Sequence, residues 1–152
     1  MSKAFHVVLF CSVLSLPLLG SSNANAATFV DFDGFCLTDR FGDIADRNPI
    51  VVIQCLGLPS QQWKWEGLSI LGIGTSAGRT FKCVDVDGGI TADGTPVQLF
   101  DCNGTGAQQW TYNNGRIVNV RSGKCLDVGD GSVLTQARIR TCNFALAATS
   151  QR

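Results

Sequence analysis

The feature that most constrains this chain is a short cysteine and tryptophan motif that recurs. The stretches QCLGLPSQQW (54–63) and DCNGTGAQQW (101–110) both place Gln-Gln-Trp at the same distance after a cysteine. Alignment on the cysteines gives three units, in which the paired cysteines lie 19, 19 and 17 residues apart. The third unit ends in SQR, before its tryptophan. An internal repeat of this kind indicates units that bury their apolar faces against one another.

Short runs rich in β-branched and aromatic residues recur in these units. CVDV, VQLF, QWTY and RIVNV are such runs, and glycine- and aspartate-rich turns separate them. No window keeps a helical apolar pattern except the first 26 residues and NFALAAT near the end. We therefore predict an all-β fold with threefold pseudosymmetry. Trp63 and Trp110 should lie in its core, with Gln61 and Gln108 hydrogen-bonded to local backbone behind them.

Residues 1–26 are typical of a secretory signal peptide. Lys3 precedes the apolar run VVLFCSVLSLPLLG, and the segment ends in Ala-Asn-Ala. A membrane anchor is the alternative, but the run is shorter than the ~20 residues that cross a bilayer, and Pro17 interrupts it. We expect a secreted, extracellular domain of residues 27–152, without membrane insertion.

The residues left after removal of the signal exclude several classes of function. Loss of Lys3 reduces the 12 basic side chains to 11, against 12 acidic ones, so binding to nucleic acid through net charge is not expected. The only histidine, His6, is also lost, and Glu66 is the only glutamate. Without an imidazole, Ser-His-Asp catalysis, Cys-His catalysis and histidine metal sites are excluded. We expect no enzyme activity, no cofactor and no metal.

The repeats, each close to forty residues, resemble the ricin B-type lectins. The openings CVDV and CLDV and the closing Gln-x-Trp carry the resemblance, which covers about residues 29–152. The same module occurs as the family 13 carbohydrate-binding module of secreted glycoside hydrolases. The resemblance implies a β-trefoil, a short barrel closed by a hairpin cap, with repeats at about 29–66, 67–113 and 114–152. We also expect a third repeat truncated at the C-terminus, as in a natural fragment or a truncated gene model.

Six cysteines remain once Cys11 leaves with the signal, an even number in an exported chain. A zinc site is the competing interpretation, but no two of the six have the spacing that zinc ligands favour. Repetition favours one pairing, in which each unit closes on itself. The predicted disulfides are Cys36–Cys55, Cys83–Cys102 and Cys125–Cys142.

The resemblance implies a sugar site with three parts in each unit. A carboxylate two residues after the first cysteine accepts hydroxyl protons, an aromatic two residues before the second cysteine packs on the sugar, and a polar side chain follows that cysteine. The second unit has all three parts, as Asp85, Phe100 and Asn103. We assign Gln108 to the same binding site. Ala107 stands where many relatives have an asparagine.

Simpler structural roles remain open for these residues. Asp85 could cap a turn, and Phe100 could be a core aromatic. Alternation along VQLFDC, however, places Val97 and Leu99 on the face opposite Phe100. Asn103 also begins the sequon Asn-Gly-Thr, so that in a eukaryotic secretory pathway a glycan would lie on the proposed pocket.

The other two units depart from the pattern. The first has Thr38 at the carboxylate position and Ile53 at the aromatic position, so we predict that its site is lost. The third keeps Asp127 and Asn143 but has Arg140 at the aromatic position. Because this arginine can pair with Asp127, the third unit is at best a weak second site.

Together these observations predict a carbohydrate-binding lectin for galactose- or xylose-type sugars, acting mainly through the second repeat. Its partners would be glycans or glycoproteins, and self-association would add avidity. Two alternatives stay open: a secreted β-trefoil for protein recognition or inhibition, and a detached binding module of a glycoside hydrolase. A glycosidase needs two carboxylates about 5–10 Å apart, and nothing in the sequence nominates such a pair.

Overall fold

The computed structural model describes residues 6–8, 27–30, 34–72 and 81–142. These residues form short β-strands and 3-10 turns, without an α-helix among them, as the sequence predicts. The predicted signal peptide lies largely outside these residues. The NFALAAT segment and the predicted truncation of the third repeat lie wholly outside them. The strands are β1 (His6–Val8), β2 (Thr28–Val30), β3 (Phe35–Asp39), β4 (Ile50–Gln54), β5 (Trp63–Glu66), β6 (Ser69–Gly72), β7 (Lys82–Val86), β8 (Val97–Asp101), β9 (Trp110–Asn113), β10 (Arg116–Asn119), β11 (Cys125–Asp127) and β12 (Arg138–Arg140).

The strands form three antiparallel four-stranded sheets that follow one plan. Their orders are β1-β2-β3-β4, β5-β6-β7-β8 and β9-β10-β11-β12. The register is the same in each sheet, with Cys36 opposite Ile53, Cys83 opposite Phe100 and Cys125 opposite Arg140. Isolated bridges such as Pro49 to Gln98 join one sheet to the next. The architecture is the predicted β-trefoil.

The two motif tryptophans are core residues, as predicted. Trp63 and Trp110 have no exposed surface. Each indole Nε1–H donates to a backbone carbonyl of its own repeat, that of Leu37 at 3.0 Å and that of Val84 at 2.9 Å. Because the one polar atom of each ring is satisfied, the whole side chain can be buried without penalty.

The motif glutamines hold the loop that precedes each tryptophan. The Gln61 amide donates to the carbonyl of Gln54 at 2.9 Å and accepts from the backbone of Leu56 at 2.9 Å. Gln108 repeats this pattern with Asp101 and Asn103, at 2.9 and 2.8 Å. The predicted hydrogen bonds to local backbone are therefore present in both repeats.

Three disulfides close the three repeats. They join Cys36 to Cys55, Cys83 to Cys102 and Cys125 to Cys142. In each, the first cysteine lies in a strand and the second follows its hairpin partner. Each disulfide therefore ties the end of a hairpin to the loop that carries the motif glutamine, where the repeat has one.

Candidate functional site

The second repeat contains a cavity of about 290 Å³ that gathers most of the predicted site residues. It lies beside β7 and β8 and the 3-10 turns Asp87–Gly89 and Gly106–Gln108. Asp85, Phe100 and Asn103 all line it, together with Ala107. Asp85 and the nearby pair Phe100 and Asn103 therefore lie at one surface, as their spacing from the cysteines predicts.

Asp85 is the carboxylate of this cavity. It lies in β7 and is only 5% exposed. Its Oδ1 accepts from the Gln98 amide at 3.1 Å, and its Oδ2 accepts from the Gln108 amide at 3.0 Å. Burial raises the pKa of Asp85, the two amides oppose that rise, and the negative charge of Asp87 adds to it. Two fixed oxygens, each able to accept a second hydrogen bond, therefore lie at the cavity.

Phe100 forms the aromatic wall. Val97 and Leu99 on the same strand are buried in the core, whereas Phe100 is half-buried and lines the cavity. The alternation predicted along β8 is confirmed, because neighbouring side chains point to opposite faces of a strand. The ring is therefore available to a ligand.

Asn103 supplies the exposed polar rim. Its backbone N–H donates to Gln108, and its Oδ1 accepts from the backbone of Thr105 at 3.0 Å. These bonds fix the side chain beside the cavity and leave its amide hydrogens without a partner among the described residues. Asn103 is exposed, so a glycan on its sequon would lie at this cavity.

Gln108 lies outside the cavity, which differs from the prediction. We expected it among the sugar-binding residues, but it has no exposed surface and does not line the cavity. The 3-10 turn Gly106–Gln108 points its side chain inward, where it bonds Asp101, Asn103 and Asp85. Gln108 is therefore a positioning residue that orients the carboxylate.

Several cavity residues were not anticipated from the sequence. Gln98 stands opposite Asp85 in the hairpin register, and its polar side chain within the run VQLF was the available signal. Asp87 follows β7 directly and also lines the cavity. Arg47 and Arg121 also line it, and Arg47 belongs to the first repeat. No local pattern could have assigned that arginine to this cavity.

The first repeat has an apolar cavity at the corresponding place. Thr38 and Ile53 line a space of about 580 Å³ together with Phe41, Leu58 and Leu134. No charged side chain is among the described residues that line it. The hydroxyl of Thr38 donates to the carbonyl of Cys36 at 3.0 Å. This composition agrees with the predicted loss of the sugar site in that repeat.

In the third repeat the carboxylate is already engaged. Asp127 is only 2% exposed, and its Oδ1 accepts from the backbone of Gly129 and lies 3.5 Å from the Nε of Arg140. Burial raises the pKa of Asp127, and the arginine opposes that rise. Arg140 therefore pairs with the carboxylate that a sugar would need. Asn143 lies outside the described residues.

Two further features of the described ranges concern metal binding and membrane insertion. No group of three or more histidine, cysteine, aspartate or glutamate side chains there has an arrangement that could hold a metal ion. Nor does any helix in that part of the chain have the length and apolar character to cross a membrane.

Comparison with known proteins gives one match by sequence family and several by structure. A family model described as the ricin-type β-trefoil lectin domain matches residues 25–151. No curated protein matches the chain. Three of the matching structures each share the fold at low identity. The chain spans less than half of the two plant proteins among these three.

The agglutinin from Abrus precatorius is 23% identical with a TM-score of 0.68, over 83% of this chain and 47% of that one. The designed threefold-symmetric protein ThreeFoil is 22% identical with a TM-score of 0.60, over 73% and 84%. A non-toxic homologue of type II RIPs from Momordica charantia, solved with α-methyl-D-galactoside, is 20% identical with a TM-score of 0.61, over 72% and 40%.

Proposed function

Because the chain belongs to the ricin-type β-trefoil lectin family, whose domain binds carbohydrate and is not catalytic, we propose that it is a secreted lectin for a galactose- or xylose-type sugar. The sugar binds in the cavity of the second repeat, without a metal ion. One observation carries this proposal: Asp85 is buried beside an aromatic wall, with each of its oxygens held by an amide.

The carboxylate selects the hydroxyl pattern. Gln98 and Gln108 fix the two oxygens of Asp85, so that adjacent sugar hydroxyls can donate one hydrogen bond to each. Hydrogen bonds to a charged acceptor contribute about 1.5–3 kcal/mol each. The geometry is set before the sugar arrives, so little ordering entropy opposes binding.

Phe100 and Asn103 complete the contact. The half-buried ring of Phe100 provides an apolar surface for the C–H face of the sugar. The amide hydrogens of Asn103 can donate to a third hydroxyl at the rim. Ala107 contributes no hydrogen bond, so the cavity makes fewer polar contacts than one with an asparagine there.

Two further observations support details of the proposal. The Momordica charantia protein was solved with α-methyl-D-galactoside, which makes a galactoside the first sugar to test. Three disulfides suit an oxidising compartment, which supports secretion. Glycans and glycoproteins outside the cell are then the natural partners.

A matched pair of variants tests the site. We expect methyl galactoside or methyl xyloside to shift the NMR signals of the second repeat in the parent protein. Asp85→Asn should lose detectable binding, because the charge that strengthens both hydrogen bonds is gone. Asp127→Asn, which removes an equally buried carboxylate in the third repeat, should bind as the parent does. Sugar binding that survives Asp85→Asn would refute the assignment of the site.

Protein recognition is the second candidate function, and the first repeat favours it. Its apolar cavity carries Phe41, which is 83% exposed, and the partly exposed Leu58 and Leu134. Exposed apolar patches on this scale are typical of protein-binding surfaces. A glycan array separates the two functions, since a lectin binds glycans there and a protein-recognition module does not.

A further inference from the structure

Two arginines at the second-repeat cavity stand apart from the others. Arg47 and Arg121 both line the cavity and are exposed. Within the described residues, neither guanidinium makes a hydrogen bond, an ion pair or a ring contact. Three other described arginines do make such contacts: Arg40 with the ring of Phe41, Arg138 with the carbonyl of Gly94 and Arg140 with Asp127. Two guanidinium groups without a hydrogen bond or close ion pair in the described part of the chain therefore line one cavity, although the charge of Arg47 also interacts with neighbouring Asp46.

Arg47 is held at the rim by three contacts of its loop. Its backbone N–H donates to the carbonyl of Leu99 at 2.8 Å, directly before Phe100. The neighbouring Asp46 accepts from Lys82 at 2.6 Å and from the backbone of Asp101 at 2.9 Å. The loop is thus fixed to β7 and β8, although it belongs to another repeat.

The backbone conformation at Arg47 is one that glycine adopts more easily. Its φ is 67°, and the equivalent position of the second-repeat hairpin, whose N–H donates to the carbonyl of Ile139, is Gly94. In the third repeat the equivalent residue is Leu134, which also has a φ of 67°. A left-handed conformation costs a non-glycine residue about 1 kcal/mol or more, and such strain concentrates at ligand-binding sites. The long cationic side chain is present here despite that strain.

Arg121 crosses the two 3-10 turns that border the cavity. A Cβ on Gly89 would lie 3.2 Å from its Nη1, and a Cβ on Gly106 would lie 3.1 Å from its Cβ. The absence of side chains at these glycines gives Arg121 the room to lie beside Ala107 and the cavity. The guanidinium is therefore placed by packing and not by an internal ion pair.

The cavity also contains two carboxylates, which limit where an anion can bind. Asp85 accepts hydrogen bonds from the amides of Gln98 and Gln108, and the negative charge of nearby Asp87 helps to raise the pKa of Asp85. A negative group on a ligand is repelled by both, so it must point toward the rim that carries the arginines.

We propose that the second-repeat cavity prefers a galactose- or xylose-type sugar that bears an anionic substituent, a carboxylate or a sulfate, paired with Arg47 or Arg121. This inference rests on the proposed function, since Asp85 and Phe100 hold the ring. Guanidinium groups form paired hydrogen bonds with planar carboxylates and with sulfate-like oxyanions. Their charge also steers an anionic ligand toward the cavity.

The test compares methyl galactoside with methyl galacturonide, which differ only at C6, where the second sugar has a carboxylate in place of the hydroxymethyl group. By calorimetric or NMR titration at low salt, the acid should bind the parent about fivefold to tenfold more tightly, the size of a partly exposed charge-assisted pair. High salt should shrink the difference. Methyl galactoside 6-sulfate tests whether a sulfate serves as well as a carboxylate.

Variants assign the effect to the two arginines. Combined Arg47→Gln and Arg121→Gln should bind the acid and the neutral sugar equally, with the affinity for the neutral sugar unchanged. Arg40→Gln, an exposed arginine that does not line the cavity, should keep the preference.

Three results would overturn the inference. The first is equal affinity of the parent for both sugars. The second is loss of both sugars by the double variant, since the arginines would then be structural. If neither sugar binds the parent, the proposed function fails as well. These outcomes separate the two proposals.

Discussion

At the scale of single residues, Gln61 and Gln108 each make two kinds of hydrogen bond, one to the backbone of their loop and one to a side chain of the neighbouring strand. Both lie in equivalent 3-10 turns and make equivalent bonds to the loop backbone. The remaining donor of Gln61 bonds the hydroxyl of Thr38 at 3.3 Å, and that of Gln108 bonds the carboxylate of Asp85. The motif glutamine is therefore structural in both repeats and orients a candidate ligand-binding group only in the second.

Substitution of the two glutamines should separate these roles. Gln108→Ala and Gln61→Ala should each destabilise the fold by about 3 kcal/mol, because buried backbone groups lose their partners. Only Gln108→Ala should also weaken sugar binding, by about tenfold, since Asp85 then loses an orienting bond. Urea unfolding and sugar titration of the two variants measure both effects. Equal affinity in both variants would contradict the positioning role.

The raised pKa of Asp85 predicts a pH dependence of sugar binding. Burial favours the protonated form, so this carboxyl takes up a proton at a higher pH than the ordinary value of 3.8. Protonation removes an acceptor that the sugar hydroxyls need. Binding should therefore be full near neutral pH and fall on acidification, with its midpoint above that ordinary value.

Titration of sugar affinity against pH, with folding followed by near-UV circular dichroism, measures this effect. The free protein should remain folded through the transition, because protonation of a buried carboxyl with a raised pKa favours the folded state on acidification. Affinity that is constant down to the ordinary aspartate pKa would be inconsistent with Asp85 as the acceptor.

The sequence predicted some site residues and missed others for a physical reason. Asp85, Phe100 and Asn103 lie within three residues of a disulfide, so spacing from the cysteines locates them. Gln98 is readable from the hairpin register, although we did not assign it. Arg47 reaches the cavity across a contact between repeats. Such a contact depends on the assembled barrel and leaves no local pattern.

At the scale of elements, hairpins were predictable and the joins between sheets were not. Alternation and turn residues locate β7 and β8, because both signals act within a few residues. The bridge of Pro49 to Gln98 joins chain segments far apart in sequence. β1 pairs with β2 and takes the place in the first sheet that β5 has in the second. Since β1 falls within the predicted signal peptide, that pairing was not expected.

The disulfides allow a matched test at this scale. Each of the first two closes a loop with a sequence separation of 19, which stabilises the fold by about 3 kcal/mol in the chain-entropy model. Replacement of Cys36 and Cys55 by serine, or of Cys83 and Cys102, should therefore lower the free energy of unfolding by similar amounts.

Only the second replacement should also weaken sugar binding. Cys83 lies two residues before Asp85, and Cys102 directly precedes Asn103, so the bond fixes both sides of the cavity. Peptide mapping of the unreduced parent should recover the three pairs within repeats. A peptide joining Cys55 to Cys83, or equal sugar affinity in the two double variants, would contradict this account.

At the scale of the whole molecule, the three repeats share one backbone arrangement but differ in the side chains at the equivalent surface positions. The strand registers agree between repeats, yet the equivalent positions hold Asp85 in the second repeat, Thr38 in the first and an ion-paired Asp127 in the third. The tryptophans and cysteines that build the barrel are not among the described residues that line the cavities of the first and second repeats. The cavity residues can therefore differ without loss of the fold.

This asymmetry predicts one sugar site per chain. A single shallow cavity that lacks an amide at Ala107 should bind a monosaccharide at about −4 kcal/mol, which is close to millimolar. NMR titration should give a stoichiometry of one, with shifts confined to the second repeat. Saturable shifts around Asp127 would contradict a single site, because they would mean that a sugar displaces Arg140 from the carboxylate of Asp127.

Weak binding at one site also makes avidity the route to useful affinity. Two copies joined by a flexible linker should bind a surface of clustered galactosides far more tightly than one copy, because the second contact forms at high effective concentration. The gain arises only if both cavities are intact, so a tandem with Asp85→Asn in one copy is the matched control. Biosensor measurements on dense and sparse surfaces compare the three proteins. Equal retention of the tandem and its half-inactive control on the dense surface would show that the second-repeat cavity does not carry the binding.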